Sequence, residues 1–204
     1  MQVLYIHPDN PQPRLIAQAV TALKNDKLII YPTDTSYAFG LALGAKSALD
    51  TLKRVRQLED KHQFTLLCQD LSEIATYAKV DNQQYRLLKA HTPSATTFIL
   101  EASKDVPKKL AHPKKKTIGI RVPSNAVAMQ LLQALGEPLL TSTLMLPDTP
   151  ILDDPYDIED RLSTQVAIFL NTGIGTTHLS SVIDMTHHPA TLIRQGVSDV
   201  SGLL

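Results

Sequence analysis

The residues with chemistry to offer are small and polar, and they gather at three places. Thr33, Asp34, Thr35 and Ser36 interrupt the apolar run of "KLIIYPTDTSYAFGLAL". Thr141, Ser142 and Thr143 sit inside "PLLTSTLML", and Ser180-Ser181 precede "VIDM". A turn between two buried strands is more simply built from Asn-Gly or Asp-Gly, so three hydroxyls and a carboxylate at one turn need a reason. Taken singly, each cluster reads as a satisfied turn, because Ser, Thr and Asp side chains bond nearby backbone. Together at strand ends they read as a ligand site, since open α/β sheets bind ligands where strands end. Hydroxyls and backbone N–H groups there suit a phosphate or a carboxylate, with Arg or Lys supplying charge.

The other familiar chemistries lack their patterns. There is no GxxxxGKS or GxxxxGKT phosphate loop, no GxGxxG opening a helix and no GxSxG elbow. His187 and His188 are adjacent, so on a strand they point to opposite faces and cannot share a metal, and no further Cys/His stands at zinc spacing. No metal site is expected. The carboxylate pairs Asp153-Asp154 and Glu159-Asp160 lie in a Pro-flanked acidic loop and read as solvated surface. The single cysteine, Cys68 in "FTLLC", has no partner for an internal disulfide and reads as packing.

The elements that must position these residues alternate along the chain. Strands are expected at "VLYI", "KLIIYP", "YAFGLAL", "FTLLC", "TTFILE", "TIGIRV", "PLLTSTLML", "VAIFLN", "SSVIDM" and "TLIRQG". Helices are expected at "PQPRLIAQAVTALKND", "SALDTLKRVRQL", "DLSEIATYA", "NQQYRLLKA", "NAVAMQLLQAL" and "DIEDRL". Asp70 with Glu73, then Asp81, then Ser124 stand at N-cap positions, and Gly136 at a helix stop. The order is mixed rather than strictly βαβ. The fold class expected is therefore α/β, a twisted sheet with parallel and antiparallel pairs and helices packed on it, with residues 1–204 as a single domain.

At 204 residues, 43% hydrophobic and 20% charged, the chain has the composition of an ordinary soluble globule. No apolar run approaches the ~20 residues of a membrane span, and the start lacks a basic n-region and long h-region, so no membrane and a cytoplasmic location are expected. The formal net charge of zero hides segregation: Glu101–Arg121 carries seven Lys/Arg against two acids, and Pro147–Asp160 six acids and no base. These are two solvated loops or one basic and one acidic face.

"IIYPTDTSYAFGLAL" resembles the "YPTDTxYGLG" strand–turn–strand of the YrdC/YciO-like family of threonylcarbamoyl-adenylate synthases. "TPSATTFIL", "KTIGIRVPSNAVAMQLLQALGEPLLTSTL" and "SSVIDMTHHPATLIRQG" are similar to its later blocks, in the family's order and over nearly the whole chain. "YIHPDNPQ" and "KHQFTLLCQDLSEIATYAKVDN" point to the YciO branch. The resemblance implies a YrdC-like domain around a concave basic cavity. It implies ATP with Mg²⁺ as a substrate complex, threonine and bicarbonate as co-substrates, a link to tRNA modification, and double-stranded RNA or tRNA as partner.

On this resemblance Thr33, Thr35 and Tyr37 face the cavity at the threonine end, and Arg56 or Lys61 holds phosphates. Arg121, Thr143, Ser181 and Arg194 contact the nucleotide. Lys114, Lys115 and Lys116 are the candidate RNA contacts, in a stretch that also reads as a solvated loop tip. Two departures stand out. The synthases' Lys-x-Arg pair aligns with Arg56 and Leu58, and their Ser-x-Asn with Thr143 and Met145. Replacing Asn by Met removes an acceptor and two donors. The reading is a nucleotide- and RNA-binding YciO-like protein with synthase activity weak or lost. Its rivals are a non-catalytic RNA-binding module and a hydrolase of threonylcarbamoyl compounds.

Overall fold

Apolar side chains alternate along the strands, and that period of two sorts one sheet into two faces. The computed structural model describes residues 1–204. In chain order the elements are β1 (Gln2–Tyr5), α1 (Pro13–Lys24), β2 (Ile29–Tyr31), β3 (Ala38–Ala42), α2 (Lys46–Arg56) and β4 (Thr65–Leu67). Then come α3 (Leu71–Tyr77), β5 (Ala78–Lys79), α4 (Asn82–His91), β6 (Thr96–Ala102), β7 (Thr117–Arg121) and α5 (Ala126–Leu135). The chain closes with β8 (Leu139–Thr143), α6 (Pro155–Leu162), β9 (Ile168–Asn171), β10 (Ser181–Asp184), β11 (Thr191–Arg194) and a 3-10 turn at Ser201–Leu203.

The strands lie in the order β1-β9-β2-β3-β8-β4-β7-β6-β10-β11, with β5 beside β6. Parallel pairs (β1/β9, β2/β9, β4/β7, β6/β10) mix with antiparallel ones. This is the expected twisted mixed sheet. No helix is long and apolar enough to cross a membrane.

One face carries Ile30, Phe39, Leu41, Leu66, Phe98, Leu100, Ile118, Ile120 and Leu140, all buried beneath α2, α3, α4 and α6 in one core cluster. The opposite face carries Ile29, Tyr31, Ala38, Leu67 and Leu139, buried beneath α1 and α5 in a second cluster. Those two helices lie over part of that face. Beyond them the same parity continues as Thr141 and Thr143 of β8, Thr65 of β4, Thr97 of β6 and Arg121 of β7, and this uncovered stretch lines a cavity.

Local signals fix the helix ends. Asp70 accepts the Glu73 N–H, and the Asp81/Gln84 capping box is complete, with both reciprocal bonds formed. Gly136 ends α5 in the left-handed region at φ 77°. One cap differs from expectation: Asn125, not Ser124, caps α5, its Oδ1 accepting from the Ala128 N–H at 3.0 Å. Ser124 is committed elsewhere, since both its N–H and its hydroxyl reach the Asp34 carboxylate at 3.2 Å. Two-residue β5 has no sequence signal of its own and exists through pairing with Glu101 and Ala102.

Gly119 sits in β7 between Ile118 and Ile120, on the cavity parity, opposite Thr65. A Cβ there would lie 2.5 Å from Thr65 Oγ1 and 3.0 Å from the Phe64 carbonyl oxygen. Backbone cannot yield as a side chain can, so Gly119→Ala is expected to cost about 1–3 kcal/mol in urea unfolding. Gly44→Ala, with nothing within 4 Å of the added carbon, is the control and stays within about 0.5 kcal/mol of the parent. Equal midpoints for the two variants would contradict the crowding at Gly119.

Candidate functional site

The β2–β3 turn is organised by a one-way chain of hydroxyl protons. Thr33 Oγ1 donates to the Ser36 carbonyl at 2.6 Å, which uses its only proton. Its 3.0 Å contact with Thr35 Oγ1 is therefore donated by Thr35, and it also accepts the Thr35 N–H at 3.1 Å. Thr35 Oγ1 in turn accepts from the Arg121 guanidinium at 3.3 Å. Asp34 forms a salt bridge with Arg121, both side chains about one-tenth exposed at 11% and 8%. The question of why this turn is so polar has a structural answer: Thr33 folds it, Asp34 ties it to β7, and Thr33, Thr35 and Ser36 line the cavity.

That cavity encloses about 330 Å³. Its lining includes Arg56, Arg121, Arg194 and His62 and no Asp or Glu. Hydroxyls from β4, β6 and β8 and from Ser180 supply most of the remaining polar surface. Buried Tyr31 reaches the same floor from the helix-covered half, its hydroxyl 2.6 Å from Thr141 Oγ1, and burial pushes its pKa well up. Arg56 leaves the last turn of α2 and bonds the Met145 carbonyl (3.0 Å from Nε) and the Ser142 hydroxyl. Arg194 is held against Ser180 by two bonds of 3.0 Å, to its carbonyl and to its hydroxyl.

Burial lowers the pKa of Arg56 and of Arg194, the latter with help from the neighbouring Arg121 charge. Burial, and then the Arg56 charge, push the His62 imidazole below its ordinary 6.5. Each shift records cations crowded into a partly dry space with one carboxylate, Asp34, beside them. Arg121 Nε is buried with no hydrogen-bond partner. Such a site is built to receive an anion. No group of three or more His, Cys, Asp or Glu is gathered to hold a metal.

Of the nine residues that the resemblance places at the cavity, Thr33, Thr35, Arg56, Arg121, Thr143 and Arg194 come together there. Three do not. Tyr37 is buried on the other side of the turn, its ring edge-on to Phe169 at 5.1 Å. Its hydroxyl donates to the Gly173 carbonyl at 2.7 Å and accepts from the Thr172 N–H at 3.0 Å, with the Thr172 hydroxyl at 3.1 Å, which leaves nothing for a ligand. Ser181 is fully buried, donating to the Ser198 carbonyl and accepting the Gly196 N–H, so it pins the C-terminal segment; Ser180 is the one at the cavity. Lys61 is exposed beside Glu59 at 3.2 Å, and His62 and Gln63 take the lining position.

Of the two departures, Met145 does line the cavity, while Leu58 packs against the core. Lys114, Lys115 and Lys116 are exposed and precede β7, roughly 16 Å from Arg121 at 3.3 Å per strand residue. Lys116 Nζ bonds the Pro113 carbonyl at 2.8 Å. The residues that sequence reading missed are Thr65 and Thr97, while Thr141, named there only as part of a polar cluster, joins them. Their signal was present as alternation in "FTLLC", "TTFIL" and "LLTST": hydroxyls stand two apart from other cavity-facing positions.

Residues 21–196 match the family model of Sua5, YciO and YrdC, described as "Telomere recombination". The chain is 48% identical over 204 residues to the uncharacterized protein YciO of Escherichia coli K12, covering all of this chain and 99% of that one. The crystal structure of that protein superposes with a TM-score of 0.95 over the same coverage. The threonylcarbamoyl-AMP synthase of Pseudoalteromonas translucida is 23% identical over 171 residues, 82% of this chain and 91% of the synthase. The fold also matches the P. abyssi Sua5 structure complexed with L-threonine, at TM-score 0.87 and 19% identity, over 96% of this chain and 58% of that one.

The hydroxyl chain separates two roles that the sequence leaves mixed. Thr33→Val strips a partner from the Thr35 N–H and the Ser36 carbonyl, and is expected to cost about 1–3 kcal/mol. Thr35→Val orphans no backbone group and is expected to cost about 0.5–1.5 kcal/mol. Chemical denaturation of both variants checks the order, and a larger loss for Thr35→Val would mean that the acceptor it gives Arg121 matters more to the fold than the turn's own backbone bonds.

Proposed function

The chain belongs to the Sua5/YciO/YrdC family, and we propose that it is a nucleotide- and RNA-binding member related to threonylcarbamoyl-AMP synthases, with synthase turnover weak or lost. The observation that carries this reading is the cavity lining: three arginines, a row of hydroxyls and no carboxylate, with Arg121 Nε unpartnered. Anionic phosphates relieve that crowding of charge, and an adenylate meets Arg121, Thr143, Ser180 and Arg194. Threonine takes the cavity side of the hydroxyl turn that Thr33 folds and Thr35 lines, consistent with a family fold that binds L-threonine in P. abyssi Sua5. ATP enters as its Mg²⁺ complex, the ion carried by the phosphates rather than by a protein cage.

Weak turnover follows from what surrounds the phosphate end. Arg56 is spent on Ser142 and the Met145 carbonyl, Leu58 is half-buried against the core and outside the cavity lining, and Met145 offers the cavity a thioether where the synthases' pattern has an amide. A preorganised contact to developing charge contributes roughly 3 kcal/mol, so a missing cation and a missing amide lower turnover by at least about a hundredfold. Thermal melts with Mg·ATP are expected to show stabilisation that Arg194→Gln reduces. Pyrophosphate release with threonine and bicarbonate is expected to fall by that hundredfold or more below a threonylcarbamoyl-AMP synthase under the same conditions. No ATP shift would sink the nucleotide reading; equal turnover would sink the claim of weak activity.

RNA contact is assigned to the lysine loop. Backbone binding loses affinity with salt in proportion to the phosphates neutralised, and double-stranded RNA is read mainly by shape. Weak, salt-sensitive tRNA binding is expected, and changing Lys114, Lys115 and Lys116 to Ala should flatten the log K against log salt slope by about 2–3. An unchanged slope would mean that these lysines do not touch phosphate.

A further inference from the structure

The most exposed apolar side chains of this protein stand together, away from the basic cavity. Tyr5 at the end of β1, Tyr156 at the start of α6 and Ile174 after β9 are 73%, 85% and 79% exposed. All three line one groove of about 590 Å³. Isolated exposed apolar residues need no explanation, but three sharing a concave surface mark an interaction site. The groove also carries Asp154 and Glu159 and no Lys or Arg, and the segment Pro147–Asp160 around it has six acids and no base. Asn171 closes the floor: its Oδ1 accepts the Gly173 N–H at 2.7 Å, which leaves its amide donors for an incoming group.

We infer that this groove docks a basic segment of a partner protein, in extended form, with an apolar side chain seated among Tyr5, Tyr156 and Ile174 and Lys or Arg side chains against Asp154 and Glu159. Charge complementarity selects the cation, since carboxylates beside exposed tyrosine faces suit Arg and Lys by ion pairing and by cation–π contact. The same charge disfavours RNA. A peptide is favoured over a small free cation because only a segment long enough to span the groove covers all three apolar tips. The Asn171 amide would meet its backbone carbonyls. The site stands apart from the nucleotide cavity, and the inference does not depend on the function proposed there.

The test uses a labelled peptide of about nine residues, long enough at ~3.3 Å per residue to cross the groove, alternating Leu or Pro with Arg or Lys. Fluorescence anisotropy and backbone amide NMR follow its binding to the full chain. Binding is expected with a Kd below about 1 mM, with shifts clustered at Tyr5, Tyr156, Gly173 and Ile174. Tyr156→Ala and Glu159→Lys, both at accessible positions, should each weaken it about tenfold, and a version with Glu for every cation should not bind. Absence of binding, equal binding of a lysine-only peptide, or shifts mapping elsewhere would overturn the inference. So would a parent dimer that Tyr156→Ala renders monomeric, which assigns the groove to a second copy, or tRNA shifting the same amides.

Discussion

The Arg121–Asp34 ion pair is the constraint around which the site is arranged. A guanidinium at the end of a buried strand has lost its water, and removing one partner of such a pair generally costs about 3–5 kcal/mol. Asp34 supplies the compensating charge, and it is itself held by the N–H and hydroxyl of Ser124. Those bonds join the β2–β3 turn to the junction of β7 with α5, so the geometry of the cavity and the packing of the sheet are set together. The compensation is partial. Asp34 meets one nitrogen of Arg121, Thr35 accepts from another, and Nε is left without a partner. Burial, and then the nearby Arg121 charge, lower the pKa of Arg194. The folded protein thus carries unmatched positive charge in a half-enclosed space, the condition under which an anion binds most favourably.

The cavity exists because one sheet face is longer than its helical cover. Where α1 and α5 lie, that face is Ile, Leu and Tyr; where they stop, the same strands change to threonine. Threonine keeps the β-branched shape that suits a strand while adding a hydroxyl that either water or a ligand can bond. Gly119 belongs to the same design, since its missing side chain lets Thr65 and the Phe64 carbonyl come close to β7. The opposite face keeps its large apolar side chains along these strands, with Thr96, Ser142 and Ser181 as buried polar exceptions, so the sheet is anchored from behind while its front remains open.

Long periodic elements were legible in the sequence, and so were their caps, because a helix face or an Asp at N-cap spacing is a local signal. The misplacements were slips of a single residue. Ser181 was taken for Ser180 and Lys61 for His62, and in or beside a strand such a slip carries a side chain to the other face. Nothing local sets that register: it comes from pairing with Thr96 for the first, and from how the chain crosses from α2 to β4 for the second. Tyr37 fails for a related reason. It neighbours Ala38, which faces the cavity, so its own side chain points to the core and meets Phe169. Ser124 was read as the cap of α5, but Asp34, ninety residues earlier, takes its hydroxyl, and Asn125 caps the helix instead.

The zero net charge has a consequence for encounter. Twenty basic and twenty acidic residues give no long-range field of one sign, and at physiological salt each patch is felt only within about 8 Å. Three patches then act separately: cations in the cavity, the lysine loop beyond the far end of β7, and the acidic groove beside α6. Under the proposed function an RNA finds attraction at the first two and repulsion at the third. A basic partner finds the reverse. Segregated charge on a neutral chain therefore does little for the rate of encounter and much for its orientation, because the wrong face repels at the distance where the right one begins to attract. That division allows a single domain to present an anion-binding cavity and a cation-binding groove without either masking the other.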